Sequence, residues 1–387
     1  MTMRLAFLLY KYFPYGGMQR DFRRFVEEVQ ARGHSCRIYV IGWQGEPLAN
    51  VDLRQVPVSA LSNHRRNSRF HGWVAADLAL DPVDGIIGFN KMPGLDIYYA
   101  ADSCYRDKAF KERSWLYRMG ARYRHFAAYE QAVFGRHSDT DILLISETEK
   151  VKFVEYYKTP AARMHMLPPG IAQDRRAPPD APSRRKETRE GLGLSPGDHL
   201  LLFIGSGFIK KGLDRAIRAL AAARKSNPER SIRLLVVGQD KEGRFRRLAD
   251  SLSLSDHVCF LGGRDDIPDL LLAADVLVHP ALDEAAGIVL LEALVAGLPV
   301  LVTEVCGYAH HIGAAQAGLV IASPFSQRTL DDAMLRTLEP EFLQQCKQHA
   351  LAYAAREDLY SMHRTGAALI ERLIEKKQAA RKDRAHG

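Results

Sequence analysis

The chain has 387 residues, a length that suggests two domains of ordinary size. Hydrophobic residues make up 47% and charged residues 26%, as in a folded globular protein, and no apolar run reaches the ~18 residues of a membrane-spanning helix. The net charge is +8, and residues 1–170 carry 24 Lys and Arg against 18 Asp and Glu. This basic half predicts an anionic partner, which could be nucleic acid, an anionic membrane or a phosphorylated substrate.

The cysteines and the first residues indicate the cellular compartment of the protein. Five widely spaced cysteines without a CxxC pair are typical of a reducing compartment and argue against a disulfide framework or a zinc site. The apolar stretch Leu5 to Tyr10 is short, is followed by Lys11 and lacks the features of a signal peptide. We interpret it as a first β-strand.

Apolar, β-rich runs alternate with helical patterns along the whole chain. Because the runs are continuously apolar, they predict strands buried on both faces, and their alternation with helices predicts parallel, doubly wound sheets. The strand candidates are Leu5–Tyr10, Cys36–Ile41, Gly85–Phe89, Ile97–Ala100, Ile142–Ile145, Leu200–Gly205, Ile232–Gly238, Val258–Leu261, Val276–His279, Pro299–Thr303 and Leu319–Ile321.

A stretch rich in proline and basic residues, 168–196, interrupts this pattern near the middle and predicts a linker or an exposed surface segment. We therefore predict an α/β protein of two Rossmann-like domains, residues 1–168 and 169–357, that face each other across a cleft. A helix near 358–378 could pack back on the first domain. Ligands of such sheets bind at the carboxyl ends of the strands.

The first strand leads into a Gly-Gly pair, Gly16 and Gly17, ahead of a helix that ends at Gly33. Such a pair can bring backbone N–H groups close to a phosphate, although the segment on its own favours a simple tight turn.

Two further segments are weak candidates for a metal site. Asp139-Thr140-Asp141 resembles a DxD metal motif, but it precedes an apolar strand instead of following one, so we interpret it as a turn. The adjacent His310 and His311 would point in different directions on a helix. We therefore predict no metal.

A glycine-rich turn from Gly205 to Gly212 follows the first strand of the second half and contains Lys210 and Lys211. Glycines allow close approach to a ligand, and a lysine at such a turn can neutralise a phosphate. The turn matches neither GxGxxG nor GxxxxGK[ST], which weakens dinucleotide and P-loop interpretations. An ordinary βα turn with solvated lysines explains it equally well.

The most informative segment runs from Asp283 to Ala293. Gly287 lies near a helix start, where free N–H groups and the helix dipole favour an anion such as a diphosphate. Glu292 is the only charged residue between Ala285 and Val300, and a carboxylate in apolar surroundings needs hydrogen-bond partners. A ribose diol would serve, and so would a backbone N–H or an arginine of a neighbouring element.

Three of these features together resemble the retaining GT-B glycosyltransferases of family 4. They are the Gly-Gly pair after the first strand, the basic turn from Gly205 to Gly212, and the segment from Asp283 to Ala293, in which seven residues separate Glu284 from Glu292. Longer segments resemble a subgroup of that family, the lipopolysaccharide core glucosyltransferases of Gram-negative bacteria. Those segments are Leu9 to Pro14, Gly88 to Asp96 and Pro280 to Glu292, and the likeness fades only after about Leu373. The resemblance implies transfer of a hexose, with retention, from a UDP-sugar such as UDP-glucose to a heptose of the lipopolysaccharide core.

The resemblance also implies roles for individual residues. Lys211 and Arg175 would hold the diphosphate of the donor, Glu292 the ribose and Glu284 the sugar hydroxyls. The remaining donor contacts would be Gly16, Gly17, Lys210, Ala286, Gly287 and Ile288. Since these cations can balance the charge of the leaving group, no metal or other cofactor is expected.

Asp102 follows a predicted strand of the N-terminal half, and the resemblance implies that it faces the acceptor. There it would receive or orient the proton of the acceptor hydroxyl. An N-cap for a helix starting near Cys104 is an equally supported alternative.

Residues 105–134 combine basic residues with aromatic residues at helical spacing. One interpretation is an amphipathic helix that binds the cytoplasmic face of the inner membrane, where the implied acceptor lies. The alternative is that the aromatic face packs into the N-terminal core. The candidate membrane contacts are Lys108, Lys111, Arg113, Trp115, Arg118 and Arg122.

Three other classes of protein remain open. A UDP-sugar epimerase or hydrolase on the same fold would bind the donor without an acceptor surface. A non-catalytic glycan- or membrane-binding protein would not need Lys211, Glu284 and Glu292 together. A nucleic-acid binder is allowed by the charge, but no recognised motif supports it, and we predict no nucleic-acid partner.

Overall fold

A computed structural model describes residues 2–14 and 16–386, so Tyr15 beside the predicted Gly-Gly pair lies outside the described residues. The chain divides into two compact units. Unit 1 comprises Met1–Gly170 and Ser361–Gly387, and unit 2 comprises Ile171–Tyr360.

Unit 1 is built on a seven-stranded parallel sheet with the order β5-β3-β1-β6-β7-β8-β9. Its central strands are almost fully buried because their side chains are apolar on both faces. The strands of unit 1, including the small pair β2-β4, are β1 (Arg4–Leu8), β2 (Lys11–Tyr12), β3 (Ser35–Val40), β4 (Gly42–Trp43), β5 (Val51–Gln55), β6 (Gly85–Gly88), β7 (Ile97–Ala100), β8 (Asp141–Leu144) and β9 (Met164–Met166).

Helices connect the strands of unit 1, and the C-terminal helix belongs to it. They are α1 (Gly17–Ala31), α2 (Asn63–Leu80), α3 (Tyr105–Glu112), α4 (Trp115–Met119), α5 (Ala121–Phe134), α6 (Glu147–Tyr157) and α15 (Met362–His386). Helix α15 packs on α1, where His363 Nε2 lies 2.9 Å from Oδ1 of the buried Asp21. A short 3-10 turn, Ala161–Arg163, precedes β9.

Unit 2 contains a six-stranded parallel sheet with the order β12-β11-β10-β13-β14-β15. Its strands are β10 (His199–Ile204), β11 (Ile232–Val237), β12 (Val258–Gly262), β13 (Val276–His279), β14 (Val300–Thr303) and β15 (Gly318–Ile321). Its helices are α7 (Ala181–Gly191), α8 (Leu213–Ser226), α9 (Gly243–Ser251), α10 (Ile267–Ala273), α11 (Ile288–Val295), α12 (Ala309–Ala315), α13 (Gln327–Thr337) and α14 (Pro340–Arg356), and a 3-10 turn spans Gln173–Arg175.

The strand orders confirm the predicted α/β class with two doubly wound parallel sheets. In each sheet the order reverses beside the first strand, between β1 and β6 in unit 1 and between β10 and β13 in unit 2. Crevices form at the carboxyl ends of strands at such switch points, so the loops after these four strands are where ligands of this fold bind.

Of the two alternatives for residues 168–196, a linker is wrong for residues 181–191, because they form α7, whose residues are mostly exposed or half-buried at the surface. Pro182 is tolerated because it lies in the first helical turn, where its missing N–H costs nothing. Arg185 of α7 donates to the carbonyls of residues 272–274, the last two of α10 and its C-cap, at 2.6–2.9 Å. Arg184 pairs with Asp269. The basic residues therefore hold α7 against α10.

The prediction of one amphipathic helix over residues 105–134 is also wrong, because the segment forms three helices, α3, α4 and α5. Ser114 caps α4, accepting from Tyr117 N at 3.4 Å, and Gly120 in extended conformation separates α4 from α5. The aromatic residues spaced along the sequence consequently do not share a single helix face. Among the described helices of the chain, none is long and apolar enough to cross a membrane.

Candidate active site

The predicted donor residues of unit 2 lie on two loops that leave neighbouring strands. Residues 205–212 follow β10, and residues 280–287 follow β13, on the two sides of the switch point. The two loops are fastened together, since Leu282 N donates to Lys210 O at 2.7 Å. At Gly212, where φ is +73°, an added Cβ would stand 2.0 Å from Pro280 O, so only glycine fits this crossing.

Lys211 and Glu284 form an ion pair between these two loops. His279 Nε2, fully buried at the end of β13, lies 3.7 Å from Glu284 Oε2. Burial of Glu284 raises its pKa, but His279 and the Lys211 ammonium lower it more and hold it at about 2. Burial lowers the pKa of His279, so a neutral imidazole stands behind an ionised carboxylate.

Lys210 lies apart from this pair. Its ammonium is 3.6 Å from Asp283 Oδ2, and its side chain is largely exposed. The two lysines of the turn therefore differ, because Lys211 is enclosed by the loops while Lys210 reaches solvent.

Gly287 sets the direction in which α11 begins. It adopts the left-handed conformation, with φ of +83°, in which a side chain would be strained. The preceding turn is held by backbone bonds, from Gly307 N to Glu284 O at 3.1 Å and from Tyr308 N to Ala286 O at 2.8 Å. The loop thus presents Ala286, Gly287 and Ile288 at the start of a helix, where N–H groups without helical acceptors favour an anion.

Glu292 is buried within α11, and Arg175 provides its charge partner. The glutamate is 8% exposed, and its Oε1 lies 3.6 Å from Arg175 Nε. The sequence left open whether a ribose or an arginine of a neighbouring element meets this carboxylate. The arginine is present, it comes from the 3-10 turn before α7, and it is one of the two residues expected at the diphosphate.

In unit 1, the glycine pair lies at the start of α1. Gly17 is the first helical residue and Gly16 is its N-cap, with an ordinary extended φ of −86°. An added Cβ at Gly16 would stand 1.9 Å from the side-chain Oε1 of Gln19. Gly16 therefore packs closely against Gln19, and its backbone is not left-handed.

Asp102 lies two residues beyond β7, and its side chain is exposed. The alternative that it caps the following helix is wrong, because α3 begins at Tyr105 with Cys104 as its N-cap. Carboxylates from elsewhere accept the first N–H groups there: Glu149 from Cys104 at 2.7 Å, and Glu130 from Tyr105 at 2.8 Å. Asp102 instead lines a cavity of about 360 Å³ in unit 1.

The sequence missed Glu130, which organises this region of unit 1. It is fully buried, accepts hydrogen bonds from Lys91 Nζ at 2.5 Å and from the Tyr157 hydroxyl, and also accepts from the start of α3. Burial raises its pKa, but the charge of Lys91 and these hydrogen bonds lower it overall, so the carboxylate is ionised. Its signal in the sequence was that it is the only acidic residue of α5.

Asp139 and Asp141, the acids of the DxD-like turn, have other roles. Asp141 pairs with His165 at 2.9 Å and with Lys377 at 2.8 Å, while Asp139 is exposed. His310 and His311 bond separately, to Gly307 O and to the Tyr353 hydroxyl, each at 2.8 Å. Within residues 2–14 and 16–386, no group of three or more His, Cys, Asp or Glu is arranged to hold a metal.

The candidate membrane residues occupy different environments. Trp115 is 62% exposed, and Leu116 and Met119 of the same helix are similarly exposed. Lys111 pairs with Asp107 at 2.9 Å, and the Arg118 guanidinium lies 4.3 Å from the centre of the Phe110 ring. Lys108 lines the cavity that contains Asp102. Arg113 and Arg122 lie over the rings of Tyr117 and Phe126.

Comparison with known proteins identifies the family. Residues 184–358 match the family model of the glycosyl transferases group 1. The chain is 46% identical over 369 residues to the lipopolysaccharide glucosyltransferase WaaG of Escherichia coli K12, covering 95% of this chain and 98% of that protein. It is 30% identical over 193 residues, 48% of this chain, to a D-inositol 3-phosphate glycosyltransferase of Nocardia farcinica.

Comparison with solved structures supports the same family and shows the fold. A crystal structure of WaaG, described as a glycosyltransferase involved in lipopolysaccharide biosynthesis, superposes with a TM-score of 0.89 at 45% identity over 95% of this chain and 99% of that one. Anabaena HepE in complex with UDP and glucose, at 17% identity and a TM-score of 0.72 over 95% of this chain and 99% of that one, shows the fold alone. The chain belongs to the group 1 glycosyltransferases, the family of the lipopolysaccharide glucosyltransferase WaaG, and has their GT-B fold.

Proposed function

We propose that this enzyme transfers glucose from UDP-glucose, with retention of configuration, to a heptose of the lipopolysaccharide inner core. The proposal rests on nearly full-length identity of 46% to a lipopolysaccharide glucosyltransferase. The single structural observation that carries it is the Lys211–Glu284 ion pair at the switch point of unit 2. A cation and an acid at this place fit a diphosphate and a sugar hydroxyl.

Unit 2 is the proposed donor domain. Lys211 and Arg175 hold the diphosphate, supported by the start of α11 at Ala286, Gly287 and Ile288, and Lys210 adds a more distant charge. Glu292 accepts from the ribose hydroxyls, and Glu284 from hydroxyls of the donor sugar. In this scheme each carboxylate already lies beside a cation before the donor binds, Glu292 beside Arg175 and Glu284 beside Lys211.

The proposed chemistry is mainly electrostatic. When the bond to the sugar breaks, negative charge develops on the β-phosphate of the departing UDP. Lys211, Arg175 and the helix start stabilise that charge without having to reorganise, because the loops already hold them. The acceptor hydroxyl attacks from the face that the phosphate leaves, and the phosphate guides it and takes its proton.

Unit 1 is the proposed acceptor domain. Asp102, exposed at the carboxyl edge of the sheet, orients the acceptor hydroxyl. Gly16 and Gly17 at the start of α1 are proposed to offer backbone N–H groups to a phosphate.

The test combines a purified enzyme, a panel of nucleotide sugars and lipopolysaccharide truncated at the inner-core heptoses. We expect UDP release that depends on the acceptor, fastest with UDP-glucose, and a product with one added α-linked hexose. Lys211→Ala should reduce transfer strongly without loss of fold, whereas Lys225→Ala, an exposed lysine of α8, should not. Epimer or rapid free sugar from donor alone would identify an epimerase or hydrolase, and failure of any UDP-sugar to stabilise the fold would revive a non-catalytic binder.

We also propose that the enzyme works at the cytoplasmic face of the inner membrane, bound peripherally to anionic lipid. The supporting observation is a group of exposed side chains at the end of α3 and in α4. The apolar side chains of Trp115, Leu116 and Met119 are exposed to solvent, and the exposed Lys111 and Arg113 precede them in the chain. Exposed aromatic and basic groups in this combination suit a membrane interface.

A further inference from the structure

The cavity beside Asp102 lies at the switch point of unit 1. Tyr10, Asn90 and Asp102 line it, and each stands two residues beyond the end of its strand, β1, β6 and β7 respectively. Asn67 of α2 closes one side. The volume of about 360 Å³ falls within the ~300–1,000 Å³ typical of sites for small ligands.

Two buried polar atoms of this lining lack a partner within the described part of the chain. They are Oδ1 of Asn67, a residue only 6% exposed, and the hydroxyl oxygen of Tyr10. Buried polar groups are nearly always hydrogen-bonded, since leaving one unpaired is costly. An unpaired acceptor and an unpaired hydroxyl that line the same cavity therefore point to a ligand that supplies the missing partners.

The lining offers both donors and acceptors in fixed positions. Asn90 Oδ1 accepts from Tyr10 N at 2.8 Å, which orients the Asn90 side chain and leaves its amide N–H groups as donors. Burial raises the pKa of Tyr10, so its hydroxyl keeps its proton and can donate. Tyr105, Phe126 and Tyr129 add aromatic surface to the wall.

The charge of the lining is nearly balanced. The Lys91 ammonium is already compensated, because it lies 2.5 Å from the buried Glu130 and donates to Ser103 O at 2.8 Å. Of the other ionised groups, Asp102 is negative and Lys108 is positive. Amides, hydroxyls and aromatic rings without a net charge suit an uncharged polyol, whereas a nucleotide diphosphate would need more positive charge.

We infer that this cavity binds a single uncharged sugar unit of the acceptor glycan, with Tyr10, Asn67 and Asn90 as the residues that recognise its hydroxyls. The inference rests on the proposed function and extends it, because it assigns acceptor specificity to side chains beyond Asp102. It also explains why unpaired polar atoms persist beside a site that could have been closed with apolar residues.

The test uses Asn67→Ala and Tyr10→Phe in the full chain, with Asn63→Ala as the matched control. Asn63 lies one turn earlier on α2 and is exposed. For each variant we would measure the melting temperature, the KM for UDP-glucose and the KM for a heptose-terminated core oligosaccharide released from truncated lipopolysaccharide.

We expect Asn67→Ala and Tyr10→Phe to raise the acceptor KM by roughly tenfold each, with the donor KM unchanged. The melting temperature of Tyr10→Phe should stay level or rise, because this change removes only a buried oxygen without a partner in the described part of the chain. That of Asn67→Ala should change little, because the carboxamide that it removes includes the unpartnered Oδ1. The core oligosaccharide should stabilise the parent against heat and stabilise these variants less. Asn63→Ala should match the parent in all three measurements.

A lower melting temperature with an unchanged acceptor KM would show that Asn67 and Tyr10 are structural and would overturn the inference. Equal rises of donor and acceptor KM would also contradict it. If the parent protein transfers glucose but both variants keep its acceptor KM, the acceptor site is wrong and the proposed function stands. Absence of transfer by the parent with any nucleotide sugar would instead defeat the proposed function.

Discussion

In unit 2, Nε of Arg175 lies 3.6 Å from Oε1 of Glu292, a carboxylate that is otherwise surrounded by the apolar residues of α11. The distance is close enough for charge compensation but longer than a hydrogen bond. Arg175 therefore places a positive charge beside Glu292 while leaving the carboxylate lone pairs able to accept from a ligand. A buried acid held in this way is better suited to binding a diol than to stabilising the fold.

Glu292→Ala should lower kcat/KM for transfer roughly 30- to 1,000-fold, which corresponds to a loss of about 2–4 kcal/mol of transition-state stabilisation. The reason is that the change removes a buried hydrogen-bond acceptor for the ribose of the donor substrate. The melting temperature should change little, since the pair contributes charge compensation and no hydrogen bond. Glu190→Ala, which removes an exposed acid of α7, serves as the control. Near-normal transfer by a Glu292→Ala protein with a normal melting curve would contradict the assignment.

Much of the fold could be predicted from the sequence because most strands are continuously apolar. The strands that were missed are β5 and β9, at the two edges of the seven-stranded sheet, and the two-residue strands β2 and β4. In β5, Val51 and Leu53 alternate with polar residues, and β9 has only three residues, so neither produces an apolar run. Short edge strands owe their conformation to the neighbouring strand.

The donor loops could be recognised from sequence because their glycines and charges are local patterns. The surroundings of Asp102 could not, because they depend on residues distant in the chain. Lys91 and Glu130 are 39 positions apart, and Asn67 reaches the same cavity from another helix. The break at Gly120 was missed for a different reason, since residue spacing predicts the face of a helix only if the helix continues.

Acidification should destabilise unit 2 in two steps. The pKa of His279 is lowered in the folded state, so stability falls as the pH drops below 6.5, where the unfolded imidazole takes up a proton. The pKa of Glu284 is about 2 when folded and 4.5 otherwise, so its contribution is complete above 4.5 and is lost as the pH falls towards 2. That second contribution is at most about 3 kcal/mol.

The measurement is the free energy of unfolding against pH. Glu284→Gln should flatten the curve between pH 4.5 and 2, while Glu341→Gln, a change at an exposed acid of α14, should not. If the free energy of unfolding falls equally steeply between pH 4.5 and 2 in the parent and in Glu284→Gln, then Lys211 and His279 do not hold Glu284 ionised.

Transfer should not require a divalent metal. Lys211 and Arg175 already stand where the leaving phosphates are proposed to lie, so the developing charge has cationic partners from the protein. Initial rates should be equal in EDTA and in added magnesium or manganese. Loss of activity in EDTA that manganese or magnesium restores would contradict this and would return Asp139 and Asp141 to consideration as ligands.

Asp102→Asn should impair acceptor use without affecting the donor. The substitution keeps the shape of an exposed side chain and removes its charge, so the fold should be unaffected. UDP should stabilise the variant as much as the parent, while transfer should fall by about 10²-fold or more, as for the loss of a group that positions a reacting hydroxyl. If UDP binding and transfer fall together, or if neither changes, the acceptor role is wrong.

Removal of the exposed apolar residues of α4 should weaken binding to anionic vesicles. Trp115, Leu116 and Met119 are each more than half exposed, so their burial in a lipid interface would not disturb the core of unit 1. Trp115→Ser combined with Leu116→Ser should reduce binding to vesicles that contain anionic lipid and leave the melting temperature nearly unchanged. The matched control is Leu80→Ser, which changes a leucine that is 87% exposed at the end of α2.

The basic residues beside α4 should contribute separately. Lys111→Gln with Arg113→Gln should weaken binding at low salt and have less effect at high salt, since each cation adds about 1 kcal/mol near an anionic surface and salt screens it. Loss of binding with the apolar changes alone would indicate insertion without an electrostatic contribution. Unchanged binding in both double variants, or no binding of the parent protein at low salt, would remove α3 and α4 as a membrane surface.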